Sequence, residues 1–281
     1  MSRNDKWPSQ TKVAGGVEGM KTDVDNRFGE IHTPESPLDL FDFLLDDSKG
    51  QYHVHMWRGQ ANAAWALHSG AYRRTSLSEY SSPSESGIRR YERRLLDRAT
   101  HRGFRFSAGR QLSDFELLAK LQHVGAATRL LDTTRNVMVA LFFACRSLPD
   151  IDGMLFGLHV NNLGGGEDEL LSGTYDEIMT DAVDKFDFPI TWTPPNVSPR
   201  VAAQHSQFIF GRTVNAAHGS IPIDDLSKYL LSIRIPREMK KYLLITMRSL
   251  FNITESSMFP DLEGFARRES ADLNEFPDAR W

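Results

Sequence analysis

Nine polar side chains gathered in three stretches of the chain carry the chemistry of a site: Arg58 and Gln60; Gln122, His123, Thr128, Arg129 and Asp132; Arg200 and Gln204. A guanidinium is planar and always charged, and it grips phosphate or carboxylate through two parallel hydrogen bonds. Three arginines with three amides therefore point to an anionic ligand bearing phosphates, such as a nucleotide. A purely structural use of the same residues stays open. Arg129 and Asp132 could form one internal pair, or Asp132 could pair with Arg58, because a buried ion must be compensated.

The elements that must position these groups are legible from periodicity. Tyr52 to Arg58 alternates as a strand, with Tyr52, Val54, Met56 and Arg58 on one side and His53, His55 and Trp57 on the other. Arg58 thus ends an apolar row, and Gly59 beside it lets a backbone or a ligand come close. The His53–His55 pair reads as hydrogen-bonded histidines without a third metal ligand. Ser113 and Glu116 form a capping box that opens a helix to Leu121. The stretch Gln122–Thr134 follows it, and then Asn136–Leu148, whose centre is apolar on every face and must be buried. Ser36-Pro37 starts an earlier helix whose apolar face would be Leu38, Phe41 and Leu45 with Leu40 and Leu44. Further strands are expected at 153–160, 207–211 and 230–235, and helices at 237–251 and after Phe259. Residues 161–199 look irregular and long enough for a lid. The fold class is α+β, with mixed or antiparallel sheets and flanking helices. Residues 36–270 form the domain, between a flexible arm at 1–35 and a charged tail at 271–281.

With 281 residues, 40% hydrophobic and 25% charged, the composition is that of an ordinary globular protein. The net charge of −4 gives no global pull towards nucleic acid or an anionic membrane. A local patch is another matter: Arg89–Arg110 holds eight arginines and no lysine, interleaved with Tyr91, Phe104 and Phe106. Arg89, Arg90, Arg93, Arg94, Arg98 and Arg102 fit a surface for phosphates and stacked bases, although a solvated helix face would look the same. Cys145 is the single cysteine, which leaves no intramolecular disulfide and no Cys-rich zinc site. No metal site is expected. No run reaches the ~18 apolar residues of a membrane span. The opening Met1-Ser-Arg-Asn-Asp-Lys has no apolar run behind it, so a cytoplasmic protein is expected. Gly164-Gly165-Gly166 lacks the Lys-Ser/Thr of a phosphate loop, and there is neither a Gly-x-Ser-x-Gly elbow nor a His-Glu-x-x-His helix.

Gln122-His-x-Gly-x-x-Thr-Arg-Leu-Leu-Asp-x-Thr134, followed by Ala140-Leu-Phe-Phe-Ala144, resembles the signature of the FRG domain family. The family's naming Phe-Arg-Gly reads Trp57-Arg58-Gly59 here. Arg200 to Phe208 and Met258 to Gly264 resemble its later blocks, so the likeness spans roughly residues 35 to 270. More distantly, a strand ending in aromatic-Arg-Gly is similar to the first strand of ADP-ribosyltransferases. That resemblance implies an ADP-ribosyltransferase-like core, with NAD as substrate gripped by Arg58, Gly59, Gln60, Gln122, Thr128, Arg129 and Arg200. It also implies catalysis by Arg58, His123, Gln204 and an acid. Gln204 and Gln207 stand where the superfamily's glutamate would be, so the acid would be Asp132, Glu263 or Asp261. By the same resemblance the acceptor is a macromolecule, RNA or DNA among them. The protein would then act as an intracellular toxin or antiviral defence effector held in check by a neutralising partner. The rival expectation is a non-catalytic module that binds phosphate or nucleic acid.

Overall fold

In the computed structural model, which describes residues 19–46, 54–77, 83–107, 109–159 and 172–270, ten strands are present. They are β1 (Met20–Asp25), β2 (Gly29–Pro34), β3 (Val54–Gln60), β4 (Phe106–Ser107), β5 (Arg110–Gln111), β6 (Leu131–Thr134), β7 (Gly153–His159), β8 (Ile190–Trp192), β9 (Ser206–Phe210) and β10 (Leu230–Ile235). The first helices are α1 (Pro37–Leu45), α2 (Gly70–Ser76), α3 (Glu85–His101), α4 (Asp114–His123) and α5 (Val137–Cys145). Those that follow are α6 (Tyr175–Ile178), α7 (Pro199–Ala203), α8 (Leu226–Tyr229), α9 (Arg237–Phe251), α10 (Glu255–Met258) and α11 (Leu262–Arg268). Eight strands form one mixed sheet in the order β1-β2-β10-β7-β3-β6-β9-β8, parallel only between β2 and β10; β4 and β5 pair separately. The fold is α+β, a mixed eight-stranded sheet flanked by helices.

β3 lies in the middle of this sheet, between β7 and β6. Its alternation sorts side chains as the sequence requires: Trp57 packs with α5 and Met56 with the opposite cluster around Met154 and Phe156. The expectation for the His53–His55 pair is left aside, because His53 lies outside the described residues. α5 is apolar all round because it is surrounded. It rests on β3 and β7, where a Cβ at Gly59 would overlap the Ala140 carbonyl and one at Gly153 would press on that of Ala144. Its other flank meets α9 through Leu243 and Met247. Gly59 is thus glycine because a helix backbone comes close.

Three expectations are corrected. The arm placed at residues 1–35 is a hairpin over β1 and β2, anchored by Phe28, which is buried against Phe156 with ring centroids 4.9 Å apart; residues 1–18 lie outside the described residues. In α1 the buried side chains are Leu40 and Phe43, while Leu38 and Leu45 face solvent. The segment read as a lid instead contributes Tyr175, Ile178, Met179, Val183, Ile190, Trp192 and Val197 to a core cluster with Phe115 and Phe208. Gly164-Gly165-Gly166 lies outside the described residues.

The least expected contact is electrostatic. Arg129, 2% exposed, pairs with Glu92 of α3, 0% exposed, and not with Asp132. Its main-chain N–H and its Nε donate to the two Glu92 carboxylate oxygens, each at 2.6 Å. Nη1 donates to Glu85 at 3.1 Å and to the Gly211 carbonyl at 3.3 Å. Nη2 donates to the Tyr175 hydroxyl, which in turn donates to Glu92 at 2.6 Å. Burial opposes the charge on Arg129, but Glu92, Tyr175 and Glu85 outweigh it and raise its pKa. Burial likewise pushes the Glu85 carboxyl up, and Arg129 and Arg89 overcome this to hold it at about 2, against an ordinary 4.5.

Removing one member of such a network strands the other charges. Arg129→Ala should lose about 3–5 kcal/mol, read as a lower denaturant midpoint. A carboxyl depressed on folding stabilises the native state above its unfolded pKa and loses that contribution as pH falls through its folded one. The melting temperature should therefore drop between pH 4.5 and about 2, and drop less steeply in Glu85→Gln.

Candidate functional site

A cleft of about 350 Å³ opens where β3 and β6 meet α5, α7 and the segment from Phe259 into α11. It brings together Arg58, Gly59, Gln122, His123, Asp132, Arg200, Gln204 and Glu263, which are separated by up to two hundred residues in sequence. Gln60, Thr128 and Arg129, expected among the ligand contacts, lie behind it. Gln60 is buried, accepts from Arg58 Nε at 3.3 Å and donates to the Trp65 carbonyl at 3.1 Å. Thr128 is fully buried and donates to the Gln122 side-chain oxygen, and Arg129 is consumed by the network described above. These three hold the wall and do not face a ligand.

Arg58 is half-buried at the end of β3. Its Nη1 donates to the main-chain carbonyl of Asp132 at 2.7 Å. Both acceptors, this carbonyl and Gln60, are neutral, so they fix the guanidinium without cancelling its charge. Loss of hydration lowers its pKa to about 10; Asp132 works against that fall and Arg73 adds to it. At neutral pH Arg58 stays a cation. The Asp132 side chain is exposed and accepts from Gln122 Nε2 at 2.7 Å. Thr128, Gln122 and Asp132 form one hydrogen-bonded relay, and it sets the carboxylate beside Arg58 without an ion pair among the described residues.

Across the cleft the charges are matched differently. Arg200 donates to Asp261 at 2.5 and 2.9 Å, to Glu263 at 3.0 Å and to the His123 carbonyl. Burial disfavours its charge, but Asp261 and Glu263 prevail and raise its pKa. Hydrogen bonding to Arg200, above all, holds the Asp261 carboxyl below its usual range, and Asp261 also caps α11 by accepting from Gly264 N at 2.8 Å. Arg200 is therefore a strut between α7 and α11 more than a free anion receptor. Gln204 donates to the Met258 carbonyl at 2.9 Å, while Gln207 turns to Thr193 and does not line the cleft.

His123 is 8% exposed, with Nδ1 on the Ser198 hydroxyl at 2.9 Å and Nε2 buried without a hydrogen-bond partner. Burial lowers its pKa; Asp132 and Asp261 act against the fall and Arg200 assists it. The ring is thus neutral at pH 7, and in the tautomer where Nδ1–H donates to Ser198, Nε2 is a free base.

Sequence reasoning missed the cleft's aromatic and outer cationic lining. Phe143 was hidden in the apolar run of α5. Phe259 carries the guanidinium groups of Arg146 and Arg200 over its ring at 4.6 and 5.1 Å, a favourable cation–π arrangement. Arg146 also pairs with Glu255. Arg267 is exposed and has no ion-pair partner among the described residues. Of the six arginines assigned to nucleic acid, two are paired with acids: Arg89, mostly covered, with Glu85 and Asp184, and Arg93, still exposed, with Asp176. Arg90, Arg94, Arg98 and Arg102 are exposed without ion pairs among the described residues. No His/Cys/Asp/Glu cluster suited to a metal occurs among the described residues, and no helix there is long and apolar enough to cross a membrane.

Residues 53–152 match the family model of the FRG domain. The match spans β3 to α5 and contains Arg58, Gln122, His123 and Asp132, while Arg200, Gln204 and Glu263 come from beyond it. Comparison with curated proteins and with solved structures gives no match. One titration probes the cleft's electrostatics: the His123 imidazole should titrate below 6.5 by NMR, and Asp132→Asn, which removes a carboxylate that favours protonation, should lower it further.

Proposed function

With the FRG-matched segment as the frame of the cleft, we propose that it binds NAD and transfers the ADP-ribosyl group to a macromolecule, on a divergent ADP-ribosyltransferase-like core. The observation that carries this reading is the placing of Arg58 and Asp132 in one cleft of about 350 Å³, each held by neutral hydrogen-bond partners and neither in an ion pair among the described residues. Volumes of this order suit a small ligand. A dinucleotide needs a positive charge for its pyrophosphate, and glycosyl transfer needs a negative one for its transition state.

In the reaction the bond from ribose C1′ to the nicotinamide nitrogen breaks and nicotinamide leaves with the electron pair. Positive charge then spreads over C1′ and the ring oxygen, where a fixed carboxylate stabilises it. Of the three acids considered, Asp261 is neutralised twice by Arg200 and Glu263 once. Asp132 accepts only an amide hydrogen bond, which supports it as the acid. The acceptor's nucleophile bonds to C1′ and gives its proton to solvent, while His123, with Nε2 buried, belongs to the wall. Gln204 lines the same cleft and supplies orientation but no charge.

The test is NAD labelled in its adenylate, incubated with the protein alone and with RNA, DNA or cell lysate. Asp132→Asn is isosteric and alters an exposed side chain, so its melting temperature should match the parent's. The parent should release nicotinamide and label a macromolecule, and Asp132→Asn should be slower by about a hundredfold. Absence of both events with the parent, in every mixture, would reduce the cleft to a binding site for phosphates.

A further inference from the structure

We infer that a track of exposed arginines runs from α2 onto α3, and that it seats a single-stranded polynucleotide. Its beginning is Arg73, on the last turn of α2. This side chain is exposed and donates to the His68 carbonyl at 3.3 Å. Next to it, exposed Arg74 stands over the ring of Tyr91 at 5.4 Å, which carries the track from α2 to α3. Tyr91 is tied down by donating to the Ala127 carbonyl at 2.9 Å. Burial raises the Tyr91 phenol, and the charges of Arg74 and Arg98 pull against it. Arg90, Arg94 and Arg98 then follow one another at four-residue spacing along α3, about 6 Å per step.

The contrast within α3 is what gives this row meaning. Arg89 and Arg93 have acidic partners at 2.5 to 2.6 Å, whereas Arg90, Arg94 and Arg98 have none among the described residues. Like charges at i, i+4 repel and weaken a helix, so the row does not serve the fold. The chain as a whole carries a net charge of −4, so a basic row of this kind does not follow from overall composition. Arginines repeating along a line, with an aromatic ring among them, fit a charged backbone whose bases can stack. A folded acidic protein would more often be met by a compact patch. As a statement about binding, the inference is independent of the cleft's chemistry; as a statement about the acceptor, it rests on the proposed transferase reading.

The experiment is fluorescence anisotropy with labelled single-stranded RNA and DNA of mixed sequence, without NAD, over a range of salt. The parent should bind, with log K falling linearly in log salt. The triple variant Arg74→Gln, Arg94→Gln, Arg98→Gln should bind more weakly, with a slope shallower by about 0.7 for each arginine lost. All three side chains are exposed, so its melting temperature should hold. Arg93→Gln, whose arginine already pairs with Asp176, should keep the parent's slope. Failure of the parent to bind at low salt, or an unchanged slope in the triple variant, would overturn the track. So would binding of polyglutamate in place of both nucleic acids. Asp132→Asn separates the two proposals, since it should bind the strand as the parent does. Strand binding without NAD turnover leaves the track standing and removes the transferase, and turnover onto protein without strand binding does the reverse.

Discussion

Arg129 and Glu92 are oppositely charged and almost wholly withdrawn from water, and the cleft depends on their meeting. Desolvating two ions costs several kcal/mol each, and this is offset only where every hydrogen-bonding position is used. Here the carboxylate receives a main-chain N–H, a guanidinium N–H and a phenol, and the guanidinium also reaches Glu85 and Gly211. Because the Arg129 main chain is bound as well as its side chain, the pair fixes the backbone of the α4–β6 connection and not merely one rotamer. One residue earlier, Thr128 donates to Gln122, and three residues later Asp132 takes its hydrogen bond from that same glutamine. The register of the cleft wall thus follows from an ion pair that lies behind the cleft.

The two sides of the cleft divide the electrostatic work. On the β3–β6 side charges are oriented by neutral partners and remain available: Arg58 by a carbonyl and an amide, Asp132 by an amide. On the α7–α11 side they cancel one another, Arg200 against Asp261 and Glu263. The first arrangement suits recognition and the second suits closure, because a satisfied cluster can join distant segments without drawing in a counterion. The FRG match covers the first side only, so the segment beyond residue 152 completes the cleft mainly with struts, aromatic surface and the exposed Arg267.

Much of this was readable from local rules. The Ser36-Pro37 start, the Ser113–Glu116 capping box and the all-apolar α5 each express a short-range constraint, and each is present. Arg58, His123, Asp132, Gln204 and Glu263 converge on one cleft as their blocks suggested. What escaped was long-range pairing. The partner of Arg129 lies 37 residues upstream, on a helix whose arginine run masked its one buried acid. The β1–β2 hairpin escaped for a different reason. Its exposed side is polar apart from Val24 and it is pinned chiefly by Phe28, so composition alone resembles an arm. Phe143 and Phe259 could not be told from core residues, since a cleft floor and a core look alike until the opening is seen.

The central claim is that Arg58 and Asp132 face a dinucleotide across one cleft. A crystal structure of the protein with a non-cleavable NAD analogue tests it most directly. The account predicts a pyrophosphate oxygen within hydrogen-bond distance of the Arg58 guanidinium and the nicotinamide ribose facing the Asp132 carboxylate. An analogue bound elsewhere, or a cleft that stays without it at saturating concentration, would contradict the account.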